Sequence, residues 1–560
     1  MRMTRAAVAF PGTSLAYATG TWRLKRPVHR HRAAPCHTAC PAGEDAQSYL
    51  ARLDVGDLQG AWEILVSANP LPAITGRVCH HPCEQACNRG QFDQPIAIHA
   101  LERFLGDQAL VHDWPYPVSA PPASASEVAV VGAGPAGLAC AYHLLRLGYR
   151  PVVFEALPEA GGTLRTALPP YRLPREVLDA EVGRLLSLSI KFQPHTRLGR
   201  EIHLDDLRRQ YPAVFLGVGA MKPRPWDVDG VVPAALHQGL ELLEEWVSVG
   251  ELPKAKSVAV IGGGNTSVDI ARVMRRLGVP EVHLITHRSL PRPDVPRDDW
   301  MPAIPREVQQ AQEEGVIFHE HCGVRRLVMR GQQLVGVELV RMKKLAQPDG
   351  KVERVPFEGT ESVLQVEQVI PAVGEQVDPL GLESLLGGRG FLAVDAWGKV
   401  LGHAGIFAGG DVRQGAGMVS IAIGDGRRAA LAIAAYLKGQ ELETEMLEPI
   451  AYDQLNVNYY EQAPRVEPPR LPVAERLKFE EVEGGIDSVQ AAAEAARCFS
   501  CGSCLNCDNC WTLCPDAAVL KLPDELKGEV RYVFDYTYCK GCGLCARECP
   551  CGFIVMEEEP

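Results

Sequence analysis

The chain has 560 residues, 46% of them hydrophobic, which is enough to form three or four domains with ordinary cores. Its formal net charge of −12 argues against nucleic acid or an anionic membrane surface as the main partner. No apolar run approaches the length of a membrane span, and 16 of the 18 cysteines lie in two groups toward the ends, which favours metal ligation in a reducing cytoplasm over a disulfide framework.

The N-terminal part of the chain predicts a tail followed by a small helical domain. Residues 1–35 include a basic stretch, Arg23 to Arg32, and predict a solvated tail, with docking of a partner as the alternative. Residues 36–114 carry five cysteines on a helical frame, which predicts an iron–sulfur domain, with a zinc site or plain thiols as the alternative. These cysteines are Cys36, Cys40, Cys79, Cys83 and Cys87. Residues 115–126 are rich in Pro, Ser and Ala and predict a linker.

A dinucleotide-binding fingerprint follows the linker. In its glycine turn, Gly132 permits the tight bend, Gly134 lets a pyrophosphate approach the backbone, and Gly137 lets the next helix pack closely. The phosphates would lie at the N-terminus of that helix, where free N–H groups favour anions. The next strand ends at Glu155, where a ribose hydroxyl is read. The pattern therefore predicts a Rossmann-like domain.

A second fingerprint of the same kind lies near the middle of the chain. It contains Gly262, Gly264 and Asn265, and Ser267 replaces the third glycine. Its second strand ends in a basic pair that includes Arg288, which suits the 2′-phosphate of NADP better than a bare ribose diol. A cap on a surface strand is the alternative role for Arg288. The sequence therefore favours NADP over NAD at this fold.

A later strand ends in Gly-Asp before a helical stretch and is suited to hold the ribityl chain of a flavin. Together these elements resemble the flavoproteins with two dinucleotide-binding domains. The resemblance implies an α/β fold with a FAD-binding domain at 127–225 and 371–437 and an inserted NAD(P)H-binding domain at 226–370. It implies FAD contacts from Gly132, Gly134, Gly137, Glu155, Gly162 and Asp411, and NAD(P)H contacts from Gly262, Gly264, Asn265, Arg288 and Gly374. Only Cys140 and Cys322 lie in these domains, so we expect no redox-active disulfide beside the flavin.

The densest group of cysteines lies at the C-terminal end. Residues 438–497 are rich in Pro and Glu and predict a connector that tethers a last module, 498–560. That module contains the run C-x2-C-x2-C-x3-C-P twice, which predicts a ferredoxin-like α+β fold with two [4Fe–4S] clusters; a pair of zinc ribbons is the alternative. Because the fourth Cys of each run completes the other cluster, the predicted sets are Cys504, Cys507, Cys510 with Cys549, and Cys539, Cys542, Cys545 with Cys514. The leftover cysteines, as alternative ligands or free thiols, are Cys498, Cys501 and Cys551.

The front domain resembles the N-terminal domain of the glutamate synthase small subunit. A Cys-Pro pair, the run Gly-Arg-Val-Cys-x3-Cys-x3-Cys and the element Leu-Glu-Arg-Phe carry this resemblance, which extends over about 36–437. Relatives with two clusters in this domain have a further C-x2-C just upstream. This chain lacks it, which implies a single cluster with three thiolates and one carboxylate as ligands. These are Cys40, Cys79, Cys83 and Glu102. Cys87 is the alternative fourth ligand, and Cys36 and Cys87 correspond to ligands of the missing cluster.

The whole chain resembles flavin- and iron–sulfur-dependent NAD(P)H:acceptor oxidoreductases of the glutamate synthase small-subunit type with a C-terminal ferredoxin domain. The resemblance implies FAD, NADP or NAD, three [4Fe–4S] clusters, a cytoplasmic location and a larger redox enzyme or ferredoxin that docks near the last module in a hetero-oligomer. The cysteine-rich end is most similar to flavoproteins that partner dissimilatory sulfite reductase or 2-oxoacid:ferredoxin oxidoreductases. A true glutamate synthase small subunit and a non-enzymatic electron-storage or assembly module are the alternatives. We expect no catalytic acid or base, because the cofactors carry the chemistry.

Overall fold

The protein is described here by a computed structural model. The structure describes residues 23–229, 236–250, 252, 254–346, 352–415, 417–442, 448–523 and 531–560. Most of the expected tail, residues 1–22, lies outside the described residues. Among the helices that the structure describes, none is long and apolar enough to span a bilayer.

The front domain is a group of short helices around the first cysteines. Its elements are β1 (Lys25–His29), α1 (Pro35–Ala39), α2 (Ala46–Asp54), α3 (Leu58–Val66), α4 (Pro72–Val78), α5 (Pro82–Gln85) and α6 (Ile98–His112). Helices α2 and α3 each begin after an aspartate, Asp45 and Asp57, whose side chain accepts a hydrogen bond from an N–H of the first turn. Tyr49, Trp62 and Leu105 are fully buried between the helices. The expectation of a small helical domain is therefore confirmed.

The first nucleotide fold begins directly after the linker. Its elements are β2 (Glu127–Val131), α7 (Pro135–Arg146), β3 (Arg150–Phe154), α8 (Thr163–Thr166), α9 (Arg175–Leu186), β4 (Lys191–Gln193), α10 (Leu204–Gln210) and β5 (Val214–Leu216). Strands β5, β2, β3 and β4 are neighbours in this order and run parallel. Their short apolar runs are almost entirely buried, as expected for a parallel sheet covered on both faces.

The second nucleotide fold is inserted after β5. Its elements are β6 (Lys222–Pro223), α11 (Gly239–Val249), β7 (Ser257–Ile261), α12 (Asn265–Arg276), β8 (Glu281–Ile285), α13 (Pro305–Glu313), β9 (Ile317–His319), β10 (Cys322–Arg330), β11 (Gln333–Ala346), β12 (Val352–Pro356), β13 (Ser362–Leu364), β14 (Gln368–Pro371) and β15 (Glu375–Gln376). Strands β14-β7-β8-β9 form a parallel sheet, and β10-β11-β12, with β13 beside β11, form an antiparallel one. Strands β6 and β15 pair where the chain crosses between the two folds.

The chain then returns to the first fold. Strand β16 (Ile406–Ala408) pairs with β5 and completes the order β16-β5-β2-β3-β4, and helix α14 (Val419–Lys438) follows it. Helix α14 packs along α7, where Gly426 allows close contact because a Cβ there would lie 2.2 Å from the Ala136 carbonyl oxygen. One Rossmann-like fold is therefore inserted in another, as the resemblance to the two-domain flavoproteins implied.

The connector packs against the front domain, so the expectation of a loose tether is wrong. Its helix α15 (Ser488–Ala496) buries Ala491 and Ala495 against α2 and α6. Arg465 of the connector binds Glu84 at 2.7 Å. Arg103 of α6 donates to the Glu483 carbonyl oxygen at 2.6 Å. The polar residues of the connector, which suggested a solvated segment, instead form hydrogen bonds and ion pairs with the front helices.

The last module has the expected α+β character, but it takes one strand from the N-terminal part of the chain. Its elements are α16 (Asn509–Thr512), β17 (Val519–Lys521), β18 (Tyr532–Phe534), α17 (Leu544–Arg547) and β19 (Ile554–Glu558). Strands β17 and β18 pair with each other, and β19 pairs with β1. Residues 25–29 are thus not a solvated tail. Basic residues of β1 face acidic residues of β19, and Arg23 Nε donates to Glu559 at 2.7 Å.

Candidate functional site

A cavity of about 750 Å³ lies where the two nucleotide folds meet the front domain. The predicted cofactor residues in its wall are Gly132, Gly134, Glu155, Gly162, Asp411 and Asn265. Val78 and His80, which flank Cys79 in the front domain, also line it. The remaining predicted residues, which are not in the lining, are Gly137, Gly262, Gly264, Arg288 and Gly374. The cavity therefore brings the proposed flavin residues next to the second fold and to the first cysteine group.

The glycine turn of the first fold is shaped for a diphosphate. Gly132 has φ +98°, a conformation that favours glycine. A Cβ on Gly137 would lie 1.8 Å from the Gly132 carbonyl oxygen, so only glycine lets α7 approach the turn. Gly134 is the residue before α7, and the free N–H groups of this helix start at the cavity wall.

The Glu155 side chain is hydrogen-bonded to this turn. Its side chain is buried, and it accepts hydrogen bonds from the Ala133 N–H at 2.6 Å and the Leu157 N–H at 2.9 Å. It also lines the cavity. A carboxylate that accepts two N–H bonds still has lone pairs for a ribose hydroxyl, so the geometry is compatible with the predicted role.

Asp411 lies just after β16, on the opposite side of the glycine turn. Its Oδ1 accepts a hydrogen bond from the Gly417 N–H at 3.1 Å. Burial, followed by the nearby Glu375 and Asp425 carboxylates, raises the pKa of Asp411 to about 6. A half-buried carboxylate in a cavity wall is suited to accept hydrogen bonds from ligand hydroxyls, because such donors replace the lost water.

Asn265 links the second fold to the front domain. Its Nδ2 donates to His80 Nε2 at 3.0 Å, and its Oδ1 accepts from the Ile304 N–H at 2.9 Å. Gly264, the residue before α12, has open space where a Cβ would be, so a phosphate can approach the backbone there. Gly374 precedes the β6–β15 crossing, and its carbonyl accepts from the Arg224 N–H at 2.9 Å.

A basic group lies at the end of β8. Arg288 donates to a backbone carbonyl ten residues further along, at 2.7 Å. Arg354 of β12 lies near His287, as Arg288 does. Burial lowers the pKa of His287, and the charges of Arg354 and Arg288 also lower it. Arg354 and Lys344 both pair with Asp299, at 2.6 and 2.8 Å, and the buried Arg354 Nε has no partner among the described residues. Sequence reasoning missed Arg354 and Lys344, since they belong to a distant hairpin.

The structure brings the predicted front ligands together. Burial raises the pKa of Cys79 to about 12, and the neighbouring Glu102 carboxylate raises it further. Burial also raises the pKa of Cys83, followed by the charges of Cys40, Glu84 and Cys79. Three thiols and one carboxylate thus share one buried region of the front domain.

Glu102 is one of two buried carboxylates at this group. Its Oε1 accepts from Asn69 Nδ2 at 2.9 Å and from the Thr75 hydroxyl, and burial raises its pKa to about 8. Glu44 accepts from the same Asn69 Nδ2 at 2.9 Å, and burial and the charge of Glu102 raise its pKa. Glu44 is a carboxylate that sequence reasoning missed, because no motif marks its position. It is a second candidate for the non-cysteine ligand.

The front cysteine group adjoins the cavity. Cys79 Sγ lies 3.4 Å from Ser420 Oγ on α14. Val419 and Ala422, on either side of Ser420, line the cavity. One layer of side chains on α14 therefore separates Cys79 from the cavity, and a flavin bound there would lie beside the front group.

The two cysteine sets of the last module are also brought together. After burial, the thiols that raise the pKa of Cys510 most are Cys504, Cys507 and Cys549, followed by Cys545 of the other set. Burial, followed by the thiols of Cys539, Cys542 and Cys514, raises the pKa of Cys545 to about 12. The leftover Cys551 has its Sγ 3.7 Å from that of Cys549.

These groups differ from a site for one ion. In the described part of the chain, no three His, Cys, Asp or Glu side chains converge as a single metal ion would require. A cubane needs no such convergence, because its four ligands bind four different irons. All eighteen cysteines lie within the described ranges and are free thiols, with Cys140 buried in α7 and Cys322 on β10.

Comparison with known proteins identifies three families. Residues 126–435 match the family described as pyridine nucleotide-disulphide oxidoreductase. Residues 26–114 match the dihydropyrimidine dehydrogenase domain II with a 4Fe-4S cluster, and residues 532–555 match the 4Fe-4S binding domain. The first match covers more than half of the chain.

Whole proteins are also similar to this chain. The NADP(+)-dependent formate dehydrogenase subunit beta of Moorella thermoacetica is 36% identical over 502 residues, 82% of this chain and 69% of the relative. The NADPH-Fe(3+) oxidoreductase subunit beta of Geobacter sulfurreducens is 35% identical over 530 residues, 86% and 77%. The glutamate synthase [NADPH] small chain of Escherichia coli is 32% identical over 431 residues, 72% and 88%. The resemblance drawn from the motifs is confirmed, and the chain belongs to the pyridine nucleotide-disulphide oxidoreductase family, as a flavin- and iron–sulfur-dependent member related to the glutamate synthase small chain.

Proposed function

We propose that the chain is the NADPH-oxidising, electron-transfer subunit of a larger redox enzyme. FAD, when bound, takes up two electrons as a hydride and releases them singly, which matches a nicotinamide donor to one-electron clusters. The chain's own part is to hold the nicotinamide and the flavin against each other, exclude water, and place thiolates beside them.

One observation carries this proposal: a single cavity is shared by three parts of the protein. Gly134 lines it from the first fold and Asn265 from the second. Cys79 touches its wall through Ser420. The nicotinamide, the flavin and the first cluster would then lie next to one another, in the order in which electrons pass.

The cradle for FAD fits the group. It consists of a glycine turn in which an added Cβ would clash and two carboxylates that line the cavity, the buried Glu155 and the half-buried Asp411. We assign FAD to Gly132, Gly134, Gly137, Glu155, Gly162 and Asp411. We assign the nicotinamide dinucleotide to Gly262, Gly264, Asn265, Arg288 and Gly374. We assign three [4Fe–4S] clusters to the front set and to the two sets of the last module.

The basic group at the end of β8 supports NADPH over NADH. Arg288 and Arg354 flank His287, and the unpaired Arg354 Nε is a donor with no described acceptor. A 2′-phosphate would supply acceptors for these donors. All three of the similar proteins described above are named for NADP(+) or NADPH.

A hetero-oligomer is supported by the names of the relatives, which are beta subunits or a small chain. The beta subunits match 82% and 86% of this chain, against 72% for the glutamate synthase small chain. This favours a beta-type subunit with a cluster-bearing last module. Cys507 and Cys542, one from each set of that module, are exposed, so we place the docking surface for the partner there. We propose a cytoplasmic location, where free thiols are kept reduced.

The test is the anaerobic oxidation of NADPH and NADH by the purified protein with an artificial dye, together with flavin and iron analysis. We expect NADPH to be the better donor, with about one FAD and at least about 12 irons per chain, four for each cubane. A protein that oxidises neither nucleotide would instead be a storage or assembly module. Isolation of the native complex identifies the partner, and glutamine-dependent NADPH oxidation with a large subunit would restore the glutamate synthase alternative.

The front ligand set has a separate test. Glu102→Ala should change the EPR spectrum of the reduced protein or its iron content, because a ligand oxygen is lost. Glu44→Gln is the matched variant of the neighbouring carboxylate and should leave both unchanged. An unchanged spectrum and iron content in Glu102→Ala, with a change in Glu44→Gln, would move the assignment to Glu44.

A further inference from the structure

Four cysteines that none of the three cluster sets uses lie around one small cavity. They are Cys36 of α1, Cys87 after α5, and Cys498 and Cys501 after α15. Cys36 and Cys87 are the residues whose counterparts hold a second front cluster in relatives with an upstream C-x2-C. In this structure a C-x2-C, Cys498 and Cys501, lines the same small cavity as Cys36 and Cys87, and it comes from a part of the chain more than four hundred residues away.

The four thiols are each other's neighbours. Burial raises the pKa of Cys36, and the charges of Cys498, Cys87 and Cys501 raise it further. Burial and then the charge of Cys501 raise the pKa of Cys498 to about 12. Four neighbouring free thiols, of which Cys501 is buried and the other three are half-buried, form a donor set that matches soft metals and iron–sulfur clusters.

The surroundings of this group resemble a cluster pocket. Leu50, Ile96 and Ile98 form apolar walls. The Ser500 N–H lies 3.4 Å from Cys498 Sγ, and Asn88 Nδ2 lies 3.6 Å from Cys501 Sγ. Hydrogen bonds to sulfur of this kind stabilise thiolates and tune a cluster.

A buried cation balances the negative charge of the group. Arg89 is 2% exposed, and its charge lowers the pKa of Cys498. Its guanidinium lies over the Phe499 ring, 5.0 Å from the centroid, and it donates to the Arg497 carbonyl oxygen. It also pairs with Asp93, so only part of its charge is available to the thiolates.

We propose that Cys36, Cys87, Cys498 and Cys501 hold a fourth [4Fe–4S] cluster, built jointly by the front domain and the C-terminal part. The expectation of a single front-domain cluster would then be incomplete, because the missing ligand pair comes from the other end of the chain. Four thiolates, two of them in a C-x2-C, match the ligand number and the local spacing of a cubane.

The position of this cluster gives it a role, which rests on the proposed function. Cys36 lies four residues before Cys40, and Cys87 lies four residues after Cys83, so the cluster adjoins the front set. On the other side, the N–H of Gly502, directly after Cys501, donates to the Cys551 carbonyl oxygen of the last module at 2.8 Å. Burial and then the charges of Cys551, Cys498, Cys501 and Cys507 raise the pKa of Tyr460, which lies near thiols of both groups. The fourth cluster therefore connects the two. In each step the donor cluster is oxidised by one electron and the acceptor cluster is reduced by one.

The first test counts iron in the anaerobically purified full chain. We expect about 16 irons and 16 acid-labile sulfides in the wild type, and about 12 of each in Cys498→Ser/Cys501→Ser. Cys36→Ser, from the other domain, should lose the same EPR signal. Cys322→Ser, a half-buried thiol on β10, is the control and should keep the wild-type count. Flavin content and gel filtration show whether each variant has folded.

Two results would overturn the proposal. One is a wild type with about 12 irons whose EPR spectrum does not change in either ligand variant. The other is about one zinc per chain that disappears with these cysteines, which would make the group a zinc site.

The second test measures the connection. In Cys498→Ser/Cys501→Ser, NADPH should still reduce a dye at the flavin, but reduction of the clusters in the last module by NADPH should be lost. Normal reduction of these clusters would overturn the role of the fourth cluster as a connection. A wild type that does not oxidise NADPH would refute the proposed function and leave the iron count to decide the site.

Discussion

Arg172 is a buried cation that ties the flavin fold to the nicotinamide fold. Its Nη1 lies 2.7 Å from Asp269 Oδ2 on α12, and its Nε lies 3.5 Å from Glu307 Oε2 on α13. The side chains of Arg172 and Asp269 are 5% and 6% exposed, so water screens this pair very little. Both residues also line the cofactor cavity. The pair should therefore fix how the two nucleotides face each other.

Arg172→Met leaves the Asp269 carboxylate buried without its cation. Removal of one partner of a buried pair costs about 3–5 kcal/mol of unfolding free energy. For a cooperative unit of about 150–250 residues this lowers the melting temperature by about 6–20 °C. Burial already raises the pKa of Asp269 to about 6, and Arg172 opposes this rise. Without Arg172 the folded-state pKa rises further above its unfolded value. The variant therefore loses stability as the pH increases, and the penalty should be larger at pH 8 than at pH 6.

The assay is anaerobic thermal unfolding at pH 6 and pH 8, followed by the release of flavin fluorescence. Arg209→Met is the control, because Arg209 forms an exposed pair with Asp206 and should have little effect. Arg172→Met/Asp269→Leu removes the buried charge as well and should recover most of the lost stability. A melting temperature for Arg172→Met equal to that of Arg209→Met at both pH values would refute the reasoning.

Three further predictions follow from the structure. Gly137→Ala should purify without FAD, because its Cβ would lie 1.8 Å from a carbonyl oxygen of the same turn, whereas Gly183→Ala, in open space on α9, should keep a normal flavin spectrum. Arg354→Leu should lower kcat/KM for NADPH by about 10- to 100-fold and leave that for NADH unchanged, since one or two hydrogen bonds to a charged group are lost; Arg330→Leu, exposed at the end of β10, should change neither, and an equal loss for both nucleotides would contradict a phosphate site. The buried His143 has a pKa lowered to about 3 by burial, so the unfolded chain binds a proton that the folded chain does not, and the wild type should lose about 2 kcal/mol of stability between pH 7 and pH 5. His143→Gln should reduce this loss in melting experiments at the two pH values, and an identical pH dependence would show that His143 does not cause it.

The parts of this protein that can be predicted from sequence are those whose signal is local. The turn at Gly132 and the turn at Gly264 each need a strand, a glycine and a helix within a dozen residues, so the fingerprints locate both folds. The cysteine runs around Cys510 and Cys545 predict two ligand sets by spacing, including the exchange of the fourth cysteine, and the structure places the thiols of each predicted set near one another. Family comparison agrees with the two folds and with the cluster domains.

The parts that were missed depend on contacts between distant segments. The strand at 25–29 is basic and short, and only its pairing with β19 shows that it is not a tail. Arg354 reaches the end of β8 from a separate antiparallel sheet. Cys498 and Cys501 form a C-x2-C with no second pair close by in the sequence, and their neighbours Cys36 and Cys87 lie toward the opposite end of the chain. Spacing along the sequence contains no information about such encounters.

Strand β1 cannot pair with β19 until nearly the whole chain has been synthesised. Arg23 and Glu559 are 536 residues apart along the chain. At about 5–20 residues per second, a ribosome needs roughly half a minute to two minutes to pass from one to the other. During that interval β1 has no strand partner, and its exposed edge is open to other chains. A chaperone, or the negative charge of neighbouring segments, would have to protect the basic strand until residue 558 has been made.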